Sequence, residues 1–295
     1  MMPKSQKILI YGGTGQIGSV AVKNLAKHFE VIAPTHKQVD VTGRQSVLKN
    51  INAVKPSQIL YCAGYTDTDG ARQEADKSFL LNCGAVLHIA YYAAKKKIPF
   101  HYLSTELVFN GEKSDKPYTE EDLPDPLLIN GKTKRLGEIA ALSTSKYNSV
   151  LRLIMCYSTY YPKKTDLARL ALSKVQNNQE FTATKDQKVN PIYVEYLVNA
   201  IAKVLENRGS GIYHLGATDY TTPYEFSQNI IKRFGLSTSL IKSTTFAKFS
   251  KTRPELRPKN QWLNTKKFIR DFGKGILKSI DEGIEDFYNA YQKTI

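Results

Sequence analysis

The residues Lys7-Ile-Leu-Ile-Tyr11 run directly into the loop Gly12-Gly-Thr-Gly-Gln-Ile-Gly18, and this stretch decides the fold. Five strand-forming residues precede glycines at positions 12, 15 and 18, and apolar residues with helical spacing follow between Ile17 and Leu25. Because glycine has no Cβ, such a loop can approach a pyrophosphate closely, and the first N–H groups of the helix then face the anion. The order strand, glycine loop, helix predicts a dinucleotide-binding Rossmann unit. The alternative is a glycine-rich turn that serves packing alone.

The composition is that of a globular chain of 295 residues, long enough for one large or two modest domains. Cys62, Cys83 and Cys156 lie far apart, so neither a disulfide framework nor a metal site is expected. No signal segment precedes the first strand, and no apolar run is long enough to span a bilayer. We therefore expect a cytoplasmic protein without a membrane partner.

The formal net charge of +15 is compatible with an anionic partner, or with basic side chains that only face solvent. Its lysines and arginines are scattered along the chain, whereas a nucleic-acid-binding protein more often concentrates them in one arm or helix. The favoured interpretation of this charge is that the basic residues lie on solvated faces, and the second is that they attract a phosphorylated small molecule. Nucleic acid is the least favoured partner.

Strands and helices alternate through the first half of the chain. Further strands are predicted at Phe29–Ala33, Ser57–Cys62, Pro99–Ser104 and Ser149–Cys156, with helices at 72–97 and 130–146. This alternation predicts an α/β fold, a Rossmann doubly wound parallel sheet with a second, smaller C-terminal substrate domain.

The second half of the chain is broken by prolines. Helices are predicted there at Ile192–Glu206, Tyr224–Phe234 and Ile276–Gln292. The expected domains are 1–157, rejoined by about 190–217, for the dinucleotide, and most of 158–295 for the substrate.

The segment after the second strand bears on the choice of cofactor. An acidic side chain here binds the ribose 2′-OH of NAD, and a basic one accepts the 2′-phosphate of NADP. His36 and Lys37 favour NADP(H), with NAD(H) as the alternative cofactor and plain exposed loop residues as the alternative interpretation. Asp40 has the right separation from the glycines but lies well beyond the end of the strand.

Several stretches along the chain carry a family resemblance. They are Gly12–Gly18, Asp40–Thr42, Ala63–Thr66, Leu103–Gly111, Gly131–Glu138, Gly211–Leu215 and Arg257–Asn260. Together and in this order they resemble the extended short-chain dehydrogenases of the dTDP-4-dehydrorhamnose reductase type, and the likeness covers nearly the whole chain. The β subunit of methionine adenosyltransferase is similar to the same family.

The resemblance implies an activity and a catalytic set. Such enzymes reduce the 4-keto group of a nucleotide-linked deoxysugar with hydride from NAD(P)H. A Ser or Thr orients the carbonyl, a Tyr donates the proton, and a Lys four residues later lowers the pKa of the phenol and holds the nicotinamide ribose. Thr105 matches the hydroxyl and Lys134 the lysine, and Asn130 stands at the tyrosine position.

The resemblance also assigns binding residues. For the cofactor these are Gly12, Gly15, Gln16, Ile17, Gly18, His36, Lys37, Asp40, Cys62, Ala63, Gly64, Tyr65 and Lys134. For the substrate they are Thr66, Glu106, Met155 and Arg257. Two positions near the substrate depart from the family pattern, since Leu107 replaces a tyrosine and Met155 a tryptophan.

Asn130 leaves two functions open. An amide can donate a hydrogen bond but cannot release a proton near neutral pH, so Asn130 could polarise a ketone without acting as a general acid. Tyr65, Tyr102 or Tyr157 are alternative proton donors. The first hypothesis is a reductase of a nucleotide-diphosphate sugar, and the second is a catalytically weak NADP-binding homologue that regulates or scaffolds a protein partner. A homodimer is compatible with both.

Overall fold

The structure is a computed structural model that describes residues 6–159, 161 and 165–293. Within them the strands are β1 (Lys7–Tyr11), β2 (Glu30–Ile32), β3 (Gln58–Tyr61), β4 (Phe100–Thr105), β5 (Ser149–Leu153), β6 (Cys156–Tyr157), β7 (Phe181–Thr184), β8 (Ile192–Tyr193), β9 (Gly211–Leu215) and β10 (Ile241–Thr244). The helices are α1 (Gln16–Leu25), α2 (Arg44–Val54), α3 (Ala75–Phe79), α4 (Ala85–Lys95), α5 (Ile129–Thr144), α6 (Leu167–Gln176), α7 (Val194–Glu206), α8 (Pro223–Arg233), α9 (Phe246–Lys251), α10 (Lys266–Phe272) and α11 (Ile280–Gln292). No helix of the described residues is both long and apolar enough to cross a bilayer.

Six strands form the central parallel sheet in the order β2-β1-β3-β4-β5-β9. The chain passes from β1 outward to β2 and then returns to place β3 on the other side of β1. The crevice at such a reversal of strand order is where doubly wound sheets bind their ligands, beyond the carboxyl ends of the strands. The predicted α/β Rossmann fold is confirmed.

Helices cover the sheet, which is why its strands are apolar without alternation. Ile8, Leu9 and Ile10 of β1 are completely buried, as expected for a strand with both faces covered. On one face, apolar side chains of α2, α4 and α5 pack with those of β1, β3, β4 and β5 in a single cluster. The sheet therefore holds the ends of β1, β3 and β4 in fixed positions.

Some element boundaries differ from the sequence prediction. The predicted helix at 72–97 consists of a 3-10 turn (Gly70–Arg72), α3, a π-helical turn (Leu80–Gly84) and α4. The predicted strand Ser149–Cys156 is divided into β5 and β6, because Met155 adopts a positive φ of 30° between them. Helix α2 was not predicted from the sequence.

The chain divides into two compact units. The first contains the residues up to Val108, then Pro124–Arg152 and Val198–Tyr213, and the second contains Phe109–Leu123, Leu153–Leu197 and the residues from His214 onward. The second unit has two two-stranded sheets, β10-β7 and β6-β8. The assignment of one unit to the dinucleotide and the other to the substrate stays a prediction.

Candidate active site

The glycine loop is shaped by close backbone contacts. Gly12 has a φ of +85°, and a Cβ there would collide with the backbone of Ala63 at the end of β3. A Cβ on Gly18 would collide with the carbonyl oxygen of Gly12. Gly15 is the N-cap of α1, and Gln16 and Ile17 begin a first turn without acidic residues. These glycines give the loop the shape that a pyrophosphate site requires, and the first turn of α1 adds no carboxylate that would oppose the positive end of the helix dipole.

The segment after β2 is a fixed turn that presents two basic side chains. The Thr35 N–H donates to Oε1 of Gln38 over 2.9 Å, and His36 and Lys37 lie exposed between them. The carboxylate of Asp40 accepts from the N–H and the hydroxyl of Thr42 at 2.9 and 2.7 Å, and these bonds lower the pKa of Asp40. Asp40 thus caps its own turn.

Asn82 holds the loop that follows β3, which contains Cys62, Ala63, Gly64, Tyr65 and Thr66. Its Oδ1 accepts from the Tyr65 N–H over 3.0 Å, and its Nδ2 donates to the Tyr65 carbonyl oxygen over 3.2 Å. Asn82 is completely buried and lies on the π-helical turn Leu80–Gly84. Turns of this kind often occur at functional sites. Here the turn fixes the backbone of Tyr65 beside the glycine loop.

Asn130, which the sequence resemblance places at the tyrosine position, also bonds to this loop. Its Nδ2 donates to the Tyr65 carbonyl oxygen over 2.8 Å, so two buried amides converge on the same acceptor. Thr133 supports the arrangement, because its Oγ1 donates to the Asn130 carbonyl oxygen over 3.0 Å and accepts from Asn82 Nδ2 over 3.1 Å. The amide that could polarise a ketone therefore serves a structural contact in this structure.

Lys134 lies one helical turn beyond Asn130 and is buried. Its Nζ donates to the Leu103 carbonyl oxygen over 2.8 Å and stands 4.8 Å from the ring centre of Tyr102. A Cβ on Gly64 would come within 3.1 Å of the same Nζ, so only a glycine fits comfortably there. Burial lowers the pKa of Lys134 to about 8, although Cys62 and Glu138 act in the opposite direction. An ammonium with such a pKa can respond to groups bound beside it near neutral pH.

Thr105 and Glu106 form a hydrogen-bonded pair where β4 ends. Thr105 Oγ1 donates to Glu106 Oε2 over 2.6 Å and accepts from the Leu107 N–H over 3.3 Å. Glu106 is only 7 % exposed, and burial raises the pKa of its carboxyl group to about 7. The hydroxyl predicted to orient a carbonyl is therefore coupled to a carboxyl group that titrates near neutrality.

Two of the three alternative tyrosines donate to other groups of the first unit, and the third belongs to the second unit. Tyr65 donates its hydroxyl proton to Glu74 over 2.7 Å, and Tyr102 donates to the Asn82 carbonyl oxygen over 2.8 Å. Tyr157 belongs to the second unit, where its ring packs against Phe226. Burial raises the pKa of Tyr157 well above its usual range. In the first unit the phenol protons of Tyr65 and Tyr102 are thus already donated to other groups, so neither phenol is arranged as a substitute for a tyrosine at position 130.

A buried ion pair behind the site was missed by the sequence analysis. Arg152 donates to Glu138 through Nε and Nη2, each over 2.8 Å, and both side chains are at most 1 % exposed. Ser104 Oγ donates to the same carboxylate over 2.6 Å, and Arg135 reaches it from the surface over 3.1 Å. An arginine inside the apolar strand Ser149-Val-Leu-Arg-Leu153 was the available signal, since such a charge requires a partner.

In the first unit the glycine loop follows β1, the segment Cys62–Thr66 follows β3, and Thr105 and Glu106 lie where β4 ends, whereas His36, Lys37 and Asp40 follow β2. Lys134 of α5 lies against Gly64 and bonds to the Leu103 carbonyl oxygen of β4. Met155 and Arg257, predicted to bind substrate, belong to the second unit. Met155 has the positive φ described above, and Arg257 lies between α9 and α10.

The parallel sheet and the glycine loop define an α/β protein with the Rossmann fold. More narrowly, the RmlD substrate binding domain family matches residues 6–293, and the chain belongs to this family. The family resemblance predicted from the sequence is confirmed.

Three relatives illustrate the range of the family. The chain is 30% identical to the spore coat polysaccharide biosynthesis protein SpsK of Bacillus subtilis, over 81% of this chain and 83% of that protein. It is 28% identical to methionine adenosyltransferase 2 subunit beta of Mus musculus, over 96% and 87% of the two chains. It is also 28% identical to dTDP-4-dehydrorhamnose reductase of Aggregatibacter actinomycetemcomitans, over 90% and 93%.

Among solved structures, the fold matches dTDP-4-dehydrorhamnose reductase from Bacillus anthracis in complex with NADP. The TM-score is 0.90 at 23% sequence identity, and the match covers 97% of this chain and 99% of that one.

Proposed function

We propose that the protein is a nicotinamide-dependent reductase of a 4-keto nucleotide sugar. The observation that carries the proposal is the buried Lys134, which lies against Gly64 and bonds to the end of β4 two residues before Thr105. A lysine so placed would hold the nicotinamide ribose, and the Thr105 hydroxyl would orient the substrate carbonyl. The similarity to dTDP-4-dehydrorhamnose reductase of Aggregatibacter actinomycetemcomitans supports this activity.

The cofactor in this proposal is NADP(H). The glycine loop would take the pyrophosphate, because Gly12 and Gly18 allow its backbone to pack tightly against Ala63 and against itself at the start of α1. His36 and Lys37 are exposed just beyond β2, where a 2′-phosphate would be bound. When bound, the nicotinamide supplies the hydride. The complex of the Bacillus anthracis reductase with NADP supports the same choice.

We expect NADPH to bind at least about tenfold more tightly than NADH, because the 2′-phosphate adds charge-assisted contacts with basic side chains. Isothermal titration calorimetry with both cofactors measures the ratio. The double substitution His36→Ala/Lys37→Ala should bring the two affinities together without weakening NADH. Equal affinities in the wild type would remove the argument for NADP.

The reductase activity itself is tested by adding dTDP-4-dehydrorhamnose to the protein with bound NADPH and following the oxidation of NADPH by absorbance.

A specific observation supports the second function, a weakly catalytic homologue that binds or regulates a protein partner. The Asn130 amide is used on the Tyr65 carbonyl oxygen, and a relative of comparable identity is a methionine adenosyltransferase subunit. If the protein has this second function, NADPH should bind, but addition of dTDP-4-dehydrorhamnose should not oxidise it. Duplex DNA should bind only weakly at physiological salt under either function.

Two packed helices of the first unit bear exposed apolar stripes, which we propose join two copies of this chain. Leu87 and Tyr91 of α4 are 50% and 45% exposed, and Leu136 and Ile139 of α5 are 44% and 50% exposed. The two helices pack against each other, so the same pair on a second copy could complete a four-helix interface about a two-fold axis.

We expect the wild type to have the mass of two chains in light scattering coupled to size exclusion. Leu87→Glu with Ile139→Glu should give the mass of one chain, because the interface would then bury four carboxylates without partners. Tyr147→Glu, at a residue 61% exposed beyond the end of α5, is the matched control and should leave the mass unchanged. A monomeric wild type would contradict the proposal.

A further inference from the structure

The Thr105 hydroxyl proton is committed while Glu106 is ionised. A hydroxyl has one proton, and here that proton lies on a carboxylate oxygen at 2.6 Å, while the Leu107 N–H donates to the hydroxyl oxygen. Hydrogen bonds to a carboxylate are short and strong, so a ketone would compete poorly for this proton. An ionised Glu106 therefore keeps Thr105 from polarising a carbonyl.

Protonation of Glu106 reverses the direction of this hydrogen bond. A carboxylic acid donates its own proton, so Glu106 Oε2 would donate to Thr105 Oγ1 and leave the threonine proton for another acceptor. The Leu107 N–H contact still holds the hydroxyl in place. In this state Glu106 donates to Thr105, and Thr105 can donate in turn to a group bound at the end of β4.

The protonated state is accessible near neutral pH. Burial raises the pKa of Glu106 to about 7, while the bonds from Thr105 and from the N–H groups of Glu106 and Leu107 act in the opposite direction. Helix α5 packs against this turn and carries the charged side chains of Lys132, Lys134, Arg135 and Glu138, and Arg152 of β5 pairs with Glu138. The causes resolved for the shift are burial, which raises the pKa of Glu106, and these hydrogen bonds, which lower it.

We propose that Glu106 is the acid that replaces the missing tyrosine, its proton passing through the Thr105 hydroxyl to the substrate oxygen. This inference rests on the proposed reductase function. As hydride reaches the carbonyl carbon, the electron pair of the C=O π bond moves to oxygen, which takes the proton of Thr105 Oγ1. Thr105 takes the proton of Glu106 Oε2, the products are the alcohol and the oxidised nicotinamide, and solvent reprotonates the carboxylate.

This proposal differs in its pH dependence from one in which Lys134 is the acid. The relay needs a protonated Glu106, so kcat/KM should fall as pH rises through about 7. The pKa of Lys134 is about 8, so direct donation by the lysine predicts a fall near that pH instead. Substitution of Glu106 should abolish a fall in kcat/KM that is centred near pH 7, but it should leave a fall near pH 8 that comes from Lys134.

The kinetic test compares the wild type with Glu106→Gln and the exposed control Glu30→Gln. With NADPH and dTDP-4-dehydrorhamnose at pH 6, Glu106→Gln should lower kcat/KM about a hundredfold, the lower end of the contribution of a general acid. Glu106→Asp should restore part of the rate and keep a transition, whereas Glu30→Gln should match the wild type. An unchanged pH profile in Glu106→Gln would overturn the relay and leave the reductase function standing.

The hydrogen-bonded pair of Thr105 and Glu106 can also be tested by nuclear magnetic resonance, without cofactor or substrate. In protein with ¹³C-labelled glutamate carboxyl groups, the resonance missing from Glu106→Gln belongs to Glu106, and it should titrate near pH 7. Thr105→Val removes a donor to the carboxylate and should raise that midpoint, while Thr105→Ser should retain it. A midpoint below pH 5 would overturn the relay. If the midpoint is near 7 but neither the wild type nor Asn130→Tyr oxidises bound NADPH, the reductase function fails, and the relay fails with it.

Discussion

Asn130→Tyr is expected to raise kcat/KM for a 4-keto nucleotide sugar by at least about a hundredfold at pH 8.5, the lower end of what a positioned general acid contributes. Positions 130 and 134 lie one turn apart on α5, so the new phenol would stand on the helix face that carries the Lys134 ammonium. The pKa of Glu106 is about 7, so at pH 8.5 the acid that we propose would be ionised and the wild type would lack its proton donor. At pH 6 the gain should be much smaller. Initial rates of NADPH oxidation at the two pH values measure both effects.

The matched control for this substitution is Asn130→Phe, which introduces the same ring without the hydroxyl. Both variants lose the amide bond to the Tyr65 carbonyl oxygen, but Asn82 still donates to that oxygen and should hold the loop. Cofactor titration of each variant checks this point. A gain in Asn130→Phe equal to that in Asn130→Tyr would mean that ring packing, not proton donation, changed the rate. No gain in Asn130→Tyr, with cofactor and sugar still bound, would favour the regulatory function.

The fold could be predicted because its deciding features are local. The strand, glycine loop and helix between Lys7 and Leu25 are contiguous, and their spacing alone implies a parallel unit. Helix α2 was missed because only Val47 and Ile51 of its eleven residues are completely buried, too few for a clear apolar face. The π-helical turn at Leu80–Gly84 does not differ in composition from the α-helix around it, so sequence periodicity could not reveal it.

The candidate site was predicted in its residue types but not in its contacts. Thr105, Lys134 and Asn130 followed from the motifs that contain them. The contacts of Asn130 with Tyr65 and of Thr105 with Glu106 depend on how α5 and the loop after β3 meet, and on which rotamer each side chain adopts. The pKa of Glu106 depends on burial, which is a property of the packed unit. Sequence therefore predicts which residues form the candidate site, and packing determines their hydrogen bonds and their burial.

Arg152→Met is expected to lower the free energy of unfolding by about 3–5 kcal/mol, the usual cost of removing one partner from a buried ion pair. Methionine has a similar length but no charge, so the substitution leaves the Glu138 carboxylate buried, with hydrogen bonds from Ser104 and from the partly exposed Arg135. Denaturant-induced unfolding, followed by circular dichroism at pH 7.5, measures the change. Arg135→Ala removes the surface partner of the same carboxylate and should cost less than about 1 kcal/mol.

A double variant separates lost charge pairing from lost packing. In Arg152→Met/Glu138→Gln the glutamine carries no charge, and its oxygen can still accept from Ser104, which lies 2.6 Å from that position in the wild type. If the cost of the single variant comes from an uncompensated buried carboxylate, the double variant should recover at least half of the lost stability. If it recovers none, Arg152 stabilises the unit by filling space at the end of β5. A single variant as stable as Arg135→Ala would show that solvent reaches Glu138 and that the pair contributes little.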